Sequence, residues 1–223
     1  MTAFVFFFLP VTIALGVWQI QRGDEKTRLE AQFLASQGQL PTTHADIASL
    51  PAFTRVRLEG RYDPDRYLLL DNQTRDGRVG YAVLSLFNTD DGRAYLINRG
   101  WVPSGSDRSA WPRVATPDGR VSVTGSIWRD AGLSWAGRDE NWNGSWPARI
   151  QRIDVEQFGE RIAALVPVEI RLEPGTTGAL ETRYVAPVFG PEKHYGYAVQ
   201  WFLLAAVLAA LYAHFGLRRA RSR

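Results

Sequence analysis

Three histidines, His44, His194 and His214, are the nitrogen ligands that this sequence offers to a transition metal. Cysteine is absent and the sole methionine is Met1, so composition excludes a disulfide framework, a thiol nucleophile and sulfur sites for Cu(I) or zinc. His44 lies in a loop rich in Thr and Asp, without a motif around it. His214 follows His194 by 20 residues, about 30 Å along a helix, so the two cannot bind one metal ion within one chain. His214 is interpreted as an interfacial residue, and His194 is considered separately below.

His194 begins a helix face that continues with Ala198, Trp201 and Ala205, at offsets of four, three and four residues. Small residues in a membrane helix permit close approach of a second helix or of a flat ligand. An ionisable side chain at a membrane boundary is a functional hypothesis by default. From chemistry alone a simpler role is favoured, in which the imidazole hydrogen-bonds lipid headgroups or caps a helix turn.

Neither catalysis nor nucleic-acid binding is favoured. The serines in GSDRS and TGSIW lack the nucleophile-elbow pattern. Four carboxylates, Asp71, Asp76, Asp90 and Asp91, all lie in predicted turns, where capping of the turn in contact with solvent is their expected use. The net charge of +3 comes with a short arginine tail at the C-terminus and no basic stripe, which argues against a nucleic-acid partner.

Two apolar segments position His194 at a membrane. Residues 1–18 carry no charge, and about 18 helical residues span the ~30 Å hydrocarbon layer. A cleaved signal peptide would need a basic start and a cut site, which GVWQIQRGDEK does not offer. We therefore predict a retained first transmembrane helix over 1–21 and a second over 194–217.

The basic tail at 218–223 predicts the orientation, because arginines directly after a span mark the cytoplasmic side. Both termini are then cytoplasmic in the inner membrane of a bacterium, and residues 22–193 form a periplasmic domain. Trp18 and Trp201 lie near the outer ends of their helices, as interfacial aromatic residues should.

Alternating patterns and turn residues predict that this domain is rich in β-strands. A polar helix is expected over 24–37 and a short helix capped by Asp154. DPDR, DNQTRDGR and NTDDGR are interpreted as turns. The predicted strands are about 53–61, 66–71, 79–87, 94–102, 119–128 and 166–173. The fold class is an α+β membrane protein whose domain is a mainly antiparallel, partly closed barrel or sandwich.

A long irregular segment carries Trp135, Trp142 and Trp146. Packing of these rings over a sheet edge is the expected use. Contact with the bilayer surface or with a partner is the alternative.

Four blocks in chain order resemble the signature of the Surfeit locus protein one family, the assembly factors of haem-copper terminal oxidases. They are LGVWQIQRGDEK (15–26), LEGRYDPDRYLLLDNQTRDGRVGYAVLSLF (58–87), LINRGWVP (96–103) and HYGYAVQWFLLA (194–205). The resemblance implies two spans flanking an outward domain, the topology derived above.

The resemblance also implies a non-enzymatic role in delivering haem a to oxidase subunit I, in contact with the haem a synthesis machinery and membrane lipid. The proposed iron ligand falls on His194, with Trp201 as a neighbour of the ring. Arg22, Lys26 and Lys193 cluster at the same membrane edge and could neutralise propionates. Ordinary anchoring of helix ends is an equally good use for these cations.

A second hypothesis is a cofactor-free scaffold that stabilises an oxidase assembly intermediate through protein contacts. Arg99 and Trp101 in NRGWVP would then be candidate partner contacts, together with the tryptophan segment.

Overall fold

The computed structural model describes residues 2–43, 46–105, 111–129, 142–182 and 190–221. His44 and Trp135 lie outside the described residues. The chain divides into two compact units, a helical unit of Met1–Leu34 with Ala186–Arg223 and a β-rich unit of Ala35–Val185. The elements in chain order are α1 (Thr2–Gln37), a 3₁₀ turn (Ile47–Ser49), β1 (Arg55–Arg75), β2 (Arg78–Thr89), β3 (Ala94–Pro103), β4 (Val121–Trp128), β5 (Ala148–Ile150), α2 (Val155–Gly159), β6 (Leu165–Leu172) and α3 (Pro191–Arg221).

Among the described residues, two helices are long and apolar enough to cross a membrane, Ala3–Gln37 and Pro191–Gly216, which is compatible with a membrane protein. The predicted first span and the polar helix after it form one continuous α1. Its polar part is stabilised locally: the Arg22 guanidinium lies 2.5 Å from the Glu25 carboxylate one turn later. The helix therefore continues past residue 21 to Gln37.

The β-rich unit is built on a mixed sheet that is partly closed into a ring. The order of hydrogen-bonded strands is β1–β2–β3–β6–β4, and β4 pairs again with β1. The short β5 pairs with the C-terminal half of β1. Four of the pairings are antiparallel, and β3–β6 and β1–β5 are parallel. Gly60 is where β1 meets β2 and β4 together, since it pairs with both Thr89 and Val121. A β-carbon at Gly60 would overlap the Asn88 carbonyl oxygen.

The prediction of a chain-reversing turn at DPDR is wrong, because β1 passes through this sequence as a single strand. The pairing with β2 shifts register between Tyr62 and Tyr67. Asp63 Oδ1 accepts hydrogen bonds from the backbone N–H groups of Asp65 at 3.1 Å and Arg66 at 3.2 Å. The turn-forming residues are thus used in a bulge, which bends the strand without reversing it.

The β1–β2 hairpin turns at Asp76 and Gly77, later than the start of the predicted DNQTRDGR turn. Their φ angles are 47° and 74°. Positive φ at both central residues is the requirement of a type I′ turn, for which Asp-Gly is a preferred pair.

Three groups of buried apolar side chains form the core of the β-rich unit. Trp142 is 2 % exposed and contacts the rings of Trp146 and Phe158. These two described tryptophans therefore pack within the domain, as expected. The predicted cap of α2 is confirmed: Asp154 Oδ1 accepts the Gln157 backbone N–H at 2.9 Å.

Candidate functional site

Within the helical unit, α1 and α3 contact each other through glycines and aromatic rings. A β-carbon at Gly16 would lie 2.8 Å from the Phe202 ring, and one at Gly23 would lie 2.7 Å from the Tyr195 ring. The earlier residue of α1, Gly16, contacts the later residue of α3, Phe202, and the later Gly23 contacts the earlier Tyr195, so the two helices are antiparallel. Ala198 and Ala205, on the predicted histidine face of α3, are 3 % and 6 % exposed. Small residues on both helices thus permit the close approach that the sequence predicts.

His194 is half-buried and forms a hydrogen bond with Gln19 of α1. Its Nδ1 lies 2.8 Å from Gln19 Oε1. An amide carbonyl oxygen has no hydrogen to give, so Nδ1 is the donor. In the neutral ring the free lone pair then lies on Nε2, the atom available to a metal ion.

A second polar contact joins the helices next to this pair. The Tyr195 hydroxyl donates to Asp24 Oδ1 at 2.8 Å and lies 3.2 Å from the Thr27 hydroxyl. Both contacts are exposed. They add hydrogen bonds between α1 and α3 at Tyr195, the residue after His194.

The predicted cations lie at the same end of the helix pair. Arg22 is half-buried and forms an ion pair with Glu25, whereas Lys193 is exposed. Lys26 is half-buried, one turn after Arg22. Trp201 is half-buried two helical turns beyond His194, about 10 Å along α3.

Arg99 lies inside the β-rich unit and is 1 % exposed. Its guanidinium donates to the Gly178 carbonyl at 2.7 Å and to the Ala115 carbonyl at 2.6 Å. It also lies 5.0 Å from the centre of the Tyr62 ring. Burial lowers the pKa of Arg99 and raises the pKa of Tyr62 to about 12, although the Arg99 charge opposes the shift of Tyr62. Arg99 thus links β3 to the two loops that contain Ala115 and Gly178. Because the side chain is buried, it offers almost no surface for the predicted contact with a partner.

Trp101 is 3 % exposed and is also held inside the β-rich unit. Its Nε1 donates to the Gln73 carbonyl at 2.8 Å. The Arg78 guanidinium lies 4.9 Å from the ring centre. The ring packs over Gly80, where a β-carbon would lie 2.5 Å from it. The partner contact predicted for Trp101 therefore stays a prediction.

A cavity of about 220 Å³ lies beside Trp101 and is lined also by Arg75, Asn98 and Arg171. These polar side chains already have acceptors: Arg75 donates to a backbone carbonyl, and Asn98 and Arg171 both donate to Glu169 Oε1 at 2.8 Å.

A second cavity of about 690 Å³ is lined by residues that include Tyr67, Arg113 and Trp146. Burial raises the pKa of the Tyr67 phenol. Neither cavity is lined by a residue of α1 or α3. His194 and Gln19 therefore lie outside both cavities, on the surface of the helix pair. Within the described ranges, no group of three or more His, Asp or Glu side chains could hold a metal ion.

This protein has a small, partly ring-like β domain that lies in sequence between two helices apolar enough to cross a membrane. The chain belongs to the SURF1 family, because the model of that family matches residues 6–206.

Named relatives agree with this assignment. A SURF1-like protein of Dictyostelium discoideum is 33 % identical over 45 % of this chain and 42 % of its own length. A SURF1-like protein of Monosiga brevicollis is 24 % identical over 91 % of this chain and 82 % of its own length. An uncharacterized SURF1-like protein of Mycobacterium bovis is 26 % identical over 97 % of this chain and 82 % of its own length.

Sequence reasoning did not identify Gln19. The residue lies in the block LGVWQIQRGDEK, seven residues before Lys26 and far from His194 along the chain. Its one available signal is polarity, since a glutamine near the end of an apolar helix favours a hydrogen-bonding partner on another helix.

Proposed function

We propose that this protein is a membrane-anchored, non-enzymatic assembly factor for a haem-copper terminal oxidase, which binds haem a through His194 and passes it to oxidase subunit I. Membership of the SURF1 family, known for oxidase assembly, supports the general role. The hydrogen bond between His194 Nδ1 and Gln19 Oε1 carries the cofactor assignment.

The donor chemistry of the site fits haem. Haem iron accepts a neutral imidazole nitrogen as an axial ligand, whereas the porphyrin itself supplies the nitrogen ligands in the plane of the ring. A single free Nε2 on a half-buried histidine meets that need without a cluster of further ligands. Metal-binding histidines commonly donate their other ring N–H to a carbonyl or carboxylate, as His194 does to Gln19.

The surroundings of His194 suit an apolar ring with charged edges. Trp18, next to Gln19, is 53 % exposed and Tyr197, one turn after His194, is 52 % exposed. These aromatic side chains offer flat apolar surface. Lys193 is exposed beside His194 and would neutralise a propionate.

The proposed location is the inner membrane of a bacterium, with the β-rich unit in the periplasm and both termini in the cytoplasm. The antiparallel contact of α1 and α3 supports placing both termini on one side. The arginines after residue 217 favour the cytoplasm for that side. The haem a synthesis machinery, subunit I and lipid are the proposed partners.

The test is haem a occupancy of the full-length protein, purified in detergent from a host that makes haem a. We expect His194→Ala to lose the haem spectrum and the matched control His214→Ala to keep it, because His214 is exposed far along α3. Full occupancy in His194→Ala would contradict the ligand assignment. Loss of haem with subunit I pull-down and oxidase activity both intact would instead favour the cofactor-free scaffold.

A further inference from the structure

We infer that Gln19 is the positioning residue for His194: it accepts the Nδ1 hydrogen bond, orients the ring and leaves Nε2 as the iron-binding atom. This inference rests on the proposed function, since it concerns the same site.

The chemistry of the contact determines its direction. Gln19 Oε1 lies 2.8 Å from His194 Nδ1, well within hydrogen-bond distance. With the amide in this orientation, the carbonyl oxygen can only accept, so the contact favours the ring in which Nδ1 carries the hydrogen. A ring with the opposite tautomer would place a hydrogen on Nε2 and have no lone pair there for a metal ion.

The helix contacts hold the two side chains at this separation. Gly16 precedes Gln19 by three residues and Gly23 follows it by four, so all three lie on one face of α1. The Phe202 and Tyr195 rings of α3 pack against these glycines, one on each side of Gln19 along α1. Gln19 therefore lies on α1 between two close contacts with α3.

The acceptor also determines how strongly the imidazole donates electrons. A hydrogen bond from Nδ1 raises the basicity of Nε2, and a carboxylate acceptor raises it more than an amide does. Gln19→Glu should therefore strengthen the bond from His194 to iron and stabilise ferric over ferrous haem. Gln19→Leu should remove the orientation and the polarisation together.

The probe is hemin (iron protoporphyrin IX), added to the full-length protein in detergent micelles. For Gln19→Leu we expect a dissociation constant about 10–100-fold higher, the usual effect of losing the partner of a metal-binding histidine. For Gln19→Glu we expect binding to persist, with a higher iron–histidine stretching frequency by resonance Raman spectroscopy and a lower reduction potential. Gln21→Leu is the matched control, because this exposed glutamine lies two residues along the same helix.

A ligand-rescue experiment separates positioning from general packing. His194→Gly would be supplied with imidazole, which has one N–H, or with 1-methylimidazole, which has none. If Gln19 accepts that N–H, imidazole should restore hemin binding better than 1-methylimidazole does. The preference should disappear when Gln19→Leu is added.

The outcomes distinguish this inference from the proposal beneath it. Retention of hemin affinity by His194→Ala would overturn the ligand assignment itself. Loss of binding in His194→Ala, together with wild-type affinity in Gln19→Leu and an unchanged stretching frequency in Gln19→Glu, would overturn the role of Gln19 alone. If Gln19→Leu disturbs the helix pair, Gln19→Glu and the rescue experiment still test the inference. An iron–histidine stretching frequency in Gln19→Glu equal to that of the wild type would refute it. Equal rescue by imidazole and 1-methylimidazole would refute it as well.

Discussion

Replacing Arg99 with methionine tests whether this buried side chain stabilises the β-rich unit or recognises a partner. Methionine has a comparable length and is apolar, so the change removes the charge and the donors while leaving most of the volume filled. The Gly178 and Ala115 carbonyls would lose their donors at 2.7 and 2.6 Å.

The expected loss of stability follows from these two bonds. Hydrogen bonds to charged groups are worth about 1.5–3 kcal/mol each, so the pair accounts for about 3–6 kcal/mol. Relief of the desolvation that lowers the pKa of Arg99 offsets part of this loss. The contacts with the Ser85 and Thr116 hydroxyls, at 3.4 Å, are too long to add much. We expect a decrease in the free energy of unfolding of about 3 kcal/mol.

Urea unfolding of the full-length protein in detergent, followed by near-ultraviolet circular dichroism, measures this free energy. Arg57→Met is the matched control, because Arg57 is exposed on β1 and its replacement should change stability by less than about 0.5 kcal/mol. An Arg99→Met protein as stable as the control that no longer binds its oxidase partner would refute the structural role and support recognition.

Three further predictions concern close contacts and a perturbed phenol. Gly23→Leu should weaken hemin binding at least 10-fold, because its side chain would occupy the space of the Tyr195 ring and separate the helices; titration of the full-length protein measures it. Gly80→Ala should lower the unfolding free energy by about 1–3 kcal/mol in urea, since its β-carbon would overlap the Val102 carbonyl oxygen and the Trp101 ring. The pKa of Tyr62 is raised from 10.0 to about 12, so the stability held by its neutral phenol is present below pH 10 and lost as the pH rises to 12. The fall across this range should be smaller by about 2 kcal/mol in Tyr62→Phe.

The chain provides controls for these substitutions. Gly196→Leu and Gly159→Ala introduce side chains at positions where a β-carbon has no neighbour within 4 Å. Weakened hemin binding in Gly196→Leu equal to that in Gly23→Leu would argue against the helix contact as the cause. Equal destabilisation by Gly80→Ala and Gly159→Ala would contradict the proposed overlap. Parallel alkaline unfolding curves for Tyr62→Phe and the wild type would refute the assigned shift.

Local patterns predicted most of the strands, because turn residues bound short runs that favour β-structure. The expected strands at 79–87, 94–102, 119–128 and 166–173 correspond to β2, β3, β4 and β6, with ends shifted by no more than a few residues. Burial alternates residue by residue in the first part of β1, whereas much of β2 and β3 is buried on both faces, and these strands are recognisable by the turns that bound them. The three-residue β5 is too short for such a pattern and was missed.

Turn residues were less reliable, because the same residue types form both turns and bulges. Asp63 and Pro64 interrupt regular pairing, but the strand continues since β2 pairs on both sides of the interruption. The polar contacts of Arg99 were equally hidden. An arginine in a strand usually indicates an exposed position, and the loops that supply its acceptors join it only in the folded domain.

The two apolar helices, the β-rich segment between them and the family blocks were predictable because they depend on composition and local pattern, and the family resemblance pointed to His194. The parallel β3–β6 pairing, the burial of Arg99 and Trp101 and the contact between Gln19 and His194 became visible only in the folded chain. Such contacts join residues far apart in the chain, so their distances depend on how whole elements pack and no local pattern encodes them.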